Sequence, residues 1–106
     1  MHGRYLTRVN VDIRARGQPL HPSLRSHADQ RLRCALSRFS NRIRGVRLAL
    51  EAGPTTTTRC EVSVKLDSGE QLRVEDESAD VRLLLDLTAE RVGRLVSRRL
   101  AASALP

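Results

Sequence analysis

Apolar residues at Val9, Val11 and Ile13 alternate with Asn10, Asp12 and Arg14. A period of two puts one set on each face of an extended chain, so this segment reads as a half-buried strand. Gly17 to Pro19 breaks it. The period then changes. Leu24, Ala28, Leu32, Ala35, Leu36, Phe39 and Ile43 recur mostly at steps of three and four, tracing one face of a helix. Pro22 suits its first turn, and Gly45 stands where a helix would end at C′. His21 occupies the N-cap, where Ser, Thr or Asp is more usual.

Alternation returns at Val46, Leu48 and Leu50, again at Cys60, Val62, Val64 and Leu66, and again at Leu72 and Val74. These are three further strands. Gly53-Pro54 and Asp67-Ser68-Gly69 are the turns between them, and Thr55–Thr58 belong to a loop or a strand end. The acidic stretch Glu75–Asp80 reads as the approach to a last helix, with Ser78 as N-cap and Asp80 against the positive end of the dipole. Val81, Leu84, Leu85, Thr88, Val92, Leu95 and Val96 form the buried stripe of that helix. Gly93 sits inside it at a cost of about 1 kcal/mol relative to Ala, and allows close packing or close backbone approach. Ala101–Pro106 reads as a frayed tail.

The order is β-α-β-β-β-α. The last three strands form an antiparallel meander, and the first pairs at its edge. Every strand has one apolar face and each helix one apolar stripe. The economical packing is therefore an α+β domain with two helices on one face of a four-stranded sheet. It is read as a single domain over residues 1–106, with a core from about residue 9 to residue 100.

Composition narrows this picture. Tyr5 and Phe39 are the only aromatics in 106 residues, so aliphatic side chains must supply the core. No apolar run is long enough to span a membrane, and Met1–Asn10 shows no signal-peptide pattern, so the expected location is the cytoplasm. Cys34 and Cys60 lie 26 apart with no His at ligand spacing, so neither zinc nor another metal is expected, and Cys60 reads as a buried strand thiol. No phosphate loop, HExxH or GxSxG occurs, and His2, His21 and His27 are scattered. Neither an enzyme nor a cofactor site is expected. Glu75, Asp76, Glu77 and Asp80 are better read as a solvated helix approach than as a metal cluster.

The net charge is +7, unevenly spread. Residues 1–50 carry eleven arginines against Asp12 and Asp29, residues 51–80 carry three basic against eight acidic residues, and residues 81–106 carry five arginines against Asp86 and Glu90. A charged face directed at a polyanion follows. Helical residues advance about 100° each. Arg31, Arg38 and Arg42 therefore line one flank of the first helix, and Arg91, Arg94 and Arg98 form a stripe on the last. Arg99 falls nearer the buried face, where it would snorkel at the helix end. Guanidinium forks pair bidentately with phosphates. The competing reading is that the stripes are solvated faces. Only Glu90, four before Arg94, offers a partner at helical spacing. Aromatic stacking platforms are missing, so recognition by backbone and shape is favoured.

In this order and spacing the sequence resembles the bacterial ribosome hibernation-promoting factors and ribosome-associated inhibitors, the sigma-54 modulation protein family. The similarity covers roughly residues 9–100. Val11-Asp12-Ile13-Arg14-Ala15-Arg16 resembles the family's first strand, and Leu20-His21-Pro22-Ser23-Leu24-Arg25, followed by Arg31-Leu32, resembles its first helix. The acidic approach to Asp80, Leu84-Leu85 and the basic residues Arg91, Arg94 and Arg98 resemble its last helix. The family usually has Tyr where Arg82 stands, Thr at His21 and Lys at Cys34. The resemblance implies a fold similar to double-stranded RNA-binding domains. It also implies binding to the small ribosomal subunit and its ribosomal RNA near the decoding centre, which blocks initiation and preserves idle ribosomes in stationary phase. Arg16, Arg25, Arg31, Arg91, Arg94 and Arg98 would touch ribosomal RNA. The chain is similar to short forms, without the extra C-terminal domain that pairs ribosomes, and is expected to be monomeric off the ribosome. The alternative is a protein-interaction module of the same fold, using Leu83 and Leu87 beside the arginines of the last helix.

Overall fold

Strand β1 (Asn10–Arg16) lies parallel to β2 (Ile43–Ala52), and β3 (Thr58–Leu66) and β4 (Gln71–Ser78) follow antiparallel in the order β1-β2-β3-β4. The computed structural model describes residues 9–104, so Tyr5 and the last two residues of the expected tail lie outside the described residues. Helix α1 (Pro22–Leu36) makes the crossover from β1 to β2, and α2 (Val81–Ala104) follows β4. The strand registers put Ile13, Leu48, Val62 and Val74 in one row across the sheet. Both helices pack on that face, closing a core in which Leu32, Leu36, Leu84, Leu85, Val92 and Val96 are fully buried. The alternation of the sequence thus becomes one covered face and one open, charged face.

Several local expectations are corrected. The first helix ends at Leu36, not at Gly45. Ser37–Arg42 form a 3-10 segment broken at Phe39 (φ −112, ψ 17), and Ile43 opens β2. Ile43 and Val46 are three residues apart yet both buried, because the β2–β3 register shifts between Ile43 and Gly45. A bulge of this kind gives a spacing of three that imitates a helical step. Glu75–Ser78 belong to β4 and not to a helix approach. Asp80 itself caps α2, its Oδ1 accepting from the Leu83 amide at 3.1 Å, while Ser78 Oγ accepts from the Asp80 amide. His21 caps α1 in place of a hydroxyl: its Nδ1 accepts from the Ser23 amide at 3.1 Å. Helix α2 runs on to Ala104 where a frayed tail was expected, and Val81 and Leu95 are only half-buried. Arg99 is exposed and pairs with Glu70 at 2.7 Å instead of snorkelling.

Gly93 allows a close approach of the two helices. A Cβ there would stand 3.1 Å from the Ala35 carbonyl oxygen and 3.3 Å from the Ala35 Cβ. The glycine's propensity cost is therefore exchanged for helix–helix contact.

Both cysteines are free, Cys34 exposed and Cys60 buried. Burial pushes the Cys60 thiol up to about 11, the Asp76 charge adds to this, and a hydrogen bond with Thr88 works against it. The unfolded thiol ionises near 9 and the folded one near 11, so unfolding releases a proton between these values. Stability is expected to fall as pH rises through this window, by about 2 kcal/mol on the relation between pKa shift and free energy. Urea midpoints at pH 8 and pH 10.5, compared with Cys60→Ala, check this: equal pH slopes in the two proteins would refute it. A thiol reagent should label Cys34 quickly and Cys60 only on unfolding.

Candidate nucleic-acid interface

The close approach at Gly93 leaves a groove of about 450 Å³ between the outer sides of α1 and α2. Arg31, Cys34 and Arg38 line it from the first half of the chain, and Glu90, Arg94, Ser97 and Arg98 from α2. Arg31 and Arg38 are seven residues apart, and Arg94 and Arg98 are four apart. Such spacings repeat on one side of a helix. Arg38 lies just past the end of α1, its guanidinium 5.2 Å from the Phe39 ring centroid. That cation–π contact holds the fork over an apolar surface without spending its hydrogen-bond donors.

Carboxylates hold part of this set. Asp86 Oδ1 lies 2.6 Å from His27 Nε2 and 3.2 Å from Arg31 Nε, so one acid of α2 stitches two residues of α1. The Arg31 Nε is itself buried and makes no hydrogen bond, so Asp86 holds it by charge alone. Glu90 Oε1 pairs with Arg94 at 3.2 Å. Arg38 and Arg98 have no carboxylate partner among the described residues. Four guanidiniums therefore converge on a groove that contains one carboxylate residue, Glu90. A polyanion entering it would find positive charge and unused donors.

The remaining expected contact residues are dispersed. Arg91 pairs with Asp76 and donates to the Glu75 carbonyl at 3.3 Å, so it leans over β4. It lines a second, smaller groove of about 260 Å³ with Arg73, Arg94 and Arg98. Helical spacing gives no sign of Arg73, which lies on a strand and is remote in sequence from the stripe it joins in space. Its outward position on β4 was the available signal. Arg42 does not continue the stripe of α1: the 3-10 break turns it away, and it pairs with Asp67 at 3.1 Å. Arg25 donates to the Ile13 carbonyl at 2.6 Å and ties α1 to β1. Arg16 ends β1 opposite Glu51. The two stripes are thus one groove built from Arg31, Arg38, Arg94 and Arg98, with Arg91 beside it and Arg16, Arg25 and Arg42 elsewhere.

Other chemistry is not assembled. Among the described residues, no group of three His, Cys, Asp or Glu is placed to hold a metal. The acids of β4 serve their neighbours: Glu75 pairs with Arg59, Asp76 with Arg91, and Glu77 accepts from Thr57. No helix among the described residues is long and apolar enough to cross a membrane.

The sequence model of one family, described as Sigma 54 modulation protein / S30EA ribosomal protein, matches residues 11–102. The chain belongs to this family. The S30EA match runs from β1 into the last turns of α2 and so includes every residue of the arginine groove. This is a ribosome-associated family of modulation factors and not a known enzyme class. Several solved structures share the fold. A ribosomal subunit interface protein from Coxiella burnetii superposes with a TM-score of 0.75 at 19% identity, over 88% of this chain and 99% of that one. The Thermus thermophilus protein Y N-terminal domain superposes with a TM-score of 0.72 at 23% identity, over 85% of this chain and 98% of that one. No curated protein matches the sequence.

Proposed function

We propose that this S30EA member is a ribosome-binding translation inhibitor of the hibernation type. It occupies the decoding region of the small subunit, grips ribosomal RNA through its helices, and keeps idle ribosomes intact in the cytoplasm during stress and stationary phase. The observation that carries this reading is the convergence of Arg31, Arg38, Arg94 and Arg98 on one groove. The guanidiniums supply phosphate contacts, and the rigid helix pair supplies their spacing. Family membership supports the ribosome as the particle that presents those phosphates. Off the ribosome the domain is monomeric and needs no cofactor.

Phosphate contacts release counterions, so affinity must fall steeply with salt. The protein is expected to pellet with small subunits at about 50 mM salt and to lose roughly 10³-fold in affinity by 200 mM if six or so phosphates are engaged. Failure to pellet at low salt, or binding indifferent to salt, would reject the reading.

A second reading rests on Leu83 and Leu87, which are 49% and 44% exposed on successive turns of α2. Two leucines at that spacing could anchor a protein partner. Capture that survives high salt and is lost in Leu83→Ser/Leu87→Ser would favour this reading.

A further inference from the structure

The open face of the sheet has a charge pattern of its own. At one end its cations are matched: Arg59 pairs with Glu75 and Arg73 with Glu61, with Glu51 and Glu77 nearby. At the other end they are not. Arg14, Arg44, Arg47 and Lys65 line a groove of about 620 Å³ in which Asp12 is the only acid. Asp12 is shared between Arg14 at 3.0 Å and Arg47 at 3.8 Å. Arg44 and Lys65 have no acidic partner among the described residues. Lys65 is also the only lysine of the chain.

The groove exists because Gly45 lies in it. Gly45 sits between Asn10 of β1 and Lys65 of β3, and a Cβ built on it meets nothing within 4 Å. Any larger residue would project into open space and fill the groove. Asn10 and Ser63 line it too, offering hydrogen bonds suited to phosphate or a ribose hydroxyl. No large apolar side chain is exposed there; the only ones exposed among the described residues are Leu83 and Leu87, on α2. Protein interfaces are anchored by buried aromatic or aliphatic groups, and this groove provides none. Uncompensated cations around a polar trough fit a phosphodiester backbone.

The geometry points to a second RNA-backbone site on the open sheet face, made by Arg44 and Lys65 over Gly45. The helices cover the other face of the sheet, so the two basic grooves look away from each other. The domain then binds as a wedge between two RNA segments, one against the helices and one against the strands. This inference rests on the ribosome-binding reading above for its particle, but uses a separate set of residues.

The test compares salt titrations of binding to small ribosomal subunits for four proteins: the parent, Arg44→Ala/Lys65→Ala, Gly45→Glu, and the helix-groove variant Arg38→Glu/Arg94→Glu/Arg98→Glu. Arg44→Ala/Lys65→Ala should bind about tenfold more weakly near 150 mM salt, with a log–log salt slope shallower by about 1.5, as loss of two phosphate contacts requires. Gly45→Glu, whose new side chain has free space, should weaken binding further while melting like the parent. Parent-like affinity and slope in both sheet variants would overturn the wedge, whatever the helix-groove variant does. If only the helix-groove variant loses binding, the wedge falls and the ribosome reading stands. If only the sheet variants lose binding, the sheet-face site stands, and the helix groove falls and the wedge with it. A photo-reactive side chain introduced at Gly45 decides the partner. Cross-links to ribosomal RNA support the site; cross-links only to ribosomal protein, or none, refute it.

Discussion

Replacing Arg38, Arg94 and Arg98 together with glutamate is expected to abolish co-sedimentation with small ribosomal subunits while leaving the fold intact. Arg38 and Arg98 have no acidic partner to lose, and Arg94 loses only its exposed pair with Glu90. An exposed helical pair of this kind contributes about 0.3–0.5 kcal/mol. Glutamate is a good helix former, so the remaining costs are i,i+4 like-charge repulsions along α2 with Glu90 and between the two new carboxylates, about 0.2–0.5 kcal/mol each, and the lost contact of Arg38 with Phe39, about 0.5–1 kcal/mol. The loss of binding is far larger. Three phosphate contacts become three repulsions, and the log–log salt slope should become shallower by about 2–3 where residual binding can be measured. Arg91 is left out deliberately. It stands against Asp76, and a glutamate there would set two carboxylates together between α2 and β4, mixing a folding defect with a binding defect. Pelleting assays with thermal melts separate the outcomes: a triple variant that melts and pellets like the parent would show that the helix groove is not the contact surface.

Gly93→Leu should have the largest effect on stability. A methyl group at this position already falls 3.1 Å from the Ala35 carbonyl oxygen, which is backbone and cannot rotate away. Alanine would gain about 1 kcal/mol of helix propensity and lose a similar amount to this contact, so Gly93→Ala should be nearly neutral. Leucine has no such balance. It must push α1 off α2, lifting Leu32 and Leu36 from the core side chains they cover, at a cost of about 3 kcal/mol or more. A domain of this size would then melt at least 10 °C lower, on about 4–8 °C per kcal/mol. A calorimetric scan in which Gly93→Leu melts within a few degrees of the parent would mean that the helices are not clasped at this point.

Much of this architecture could be read from periodicity, and the exceptions share a cause. Strands β2, β3 and β4 and helix α2 announce themselves because one face of each is buried and one is wet. The end of α1 was hidden because Leu36, Phe39 and Ile43 keep a helical spacing that a 3-10 segment followed by a bulge also satisfies. The acids of β4 were hidden for another reason. Glu75, Asp76 and Glu77 look like a solvated run until Arg59, Arg91 and Thr57 arrive from distant elements to partner them. The same limit applies to the arginines. Spacing along a helix correctly joined Arg31 to Arg38 and Arg94 to Arg98. It could not show that Asp67 holds Arg42 or that Arg25 serves β1, since those partners are set by packing between elements. Nor could it place Arg73 beside α2, or show that Gly45 hollows the opposite face.

The arginine groove draws one wall from α1 and the other from α2, the last element of the described chain. Synthesis runs from the N-terminus, so Arg31 and Arg38 are made long before Arg94 and Arg98. A growing chain that has not reached Gly93 has neither the clasp that joins the helices nor the second row of guanidiniums. A partly made copy therefore lacks the RNA-binding surface proposed above until α2 has been made and has closed on α1.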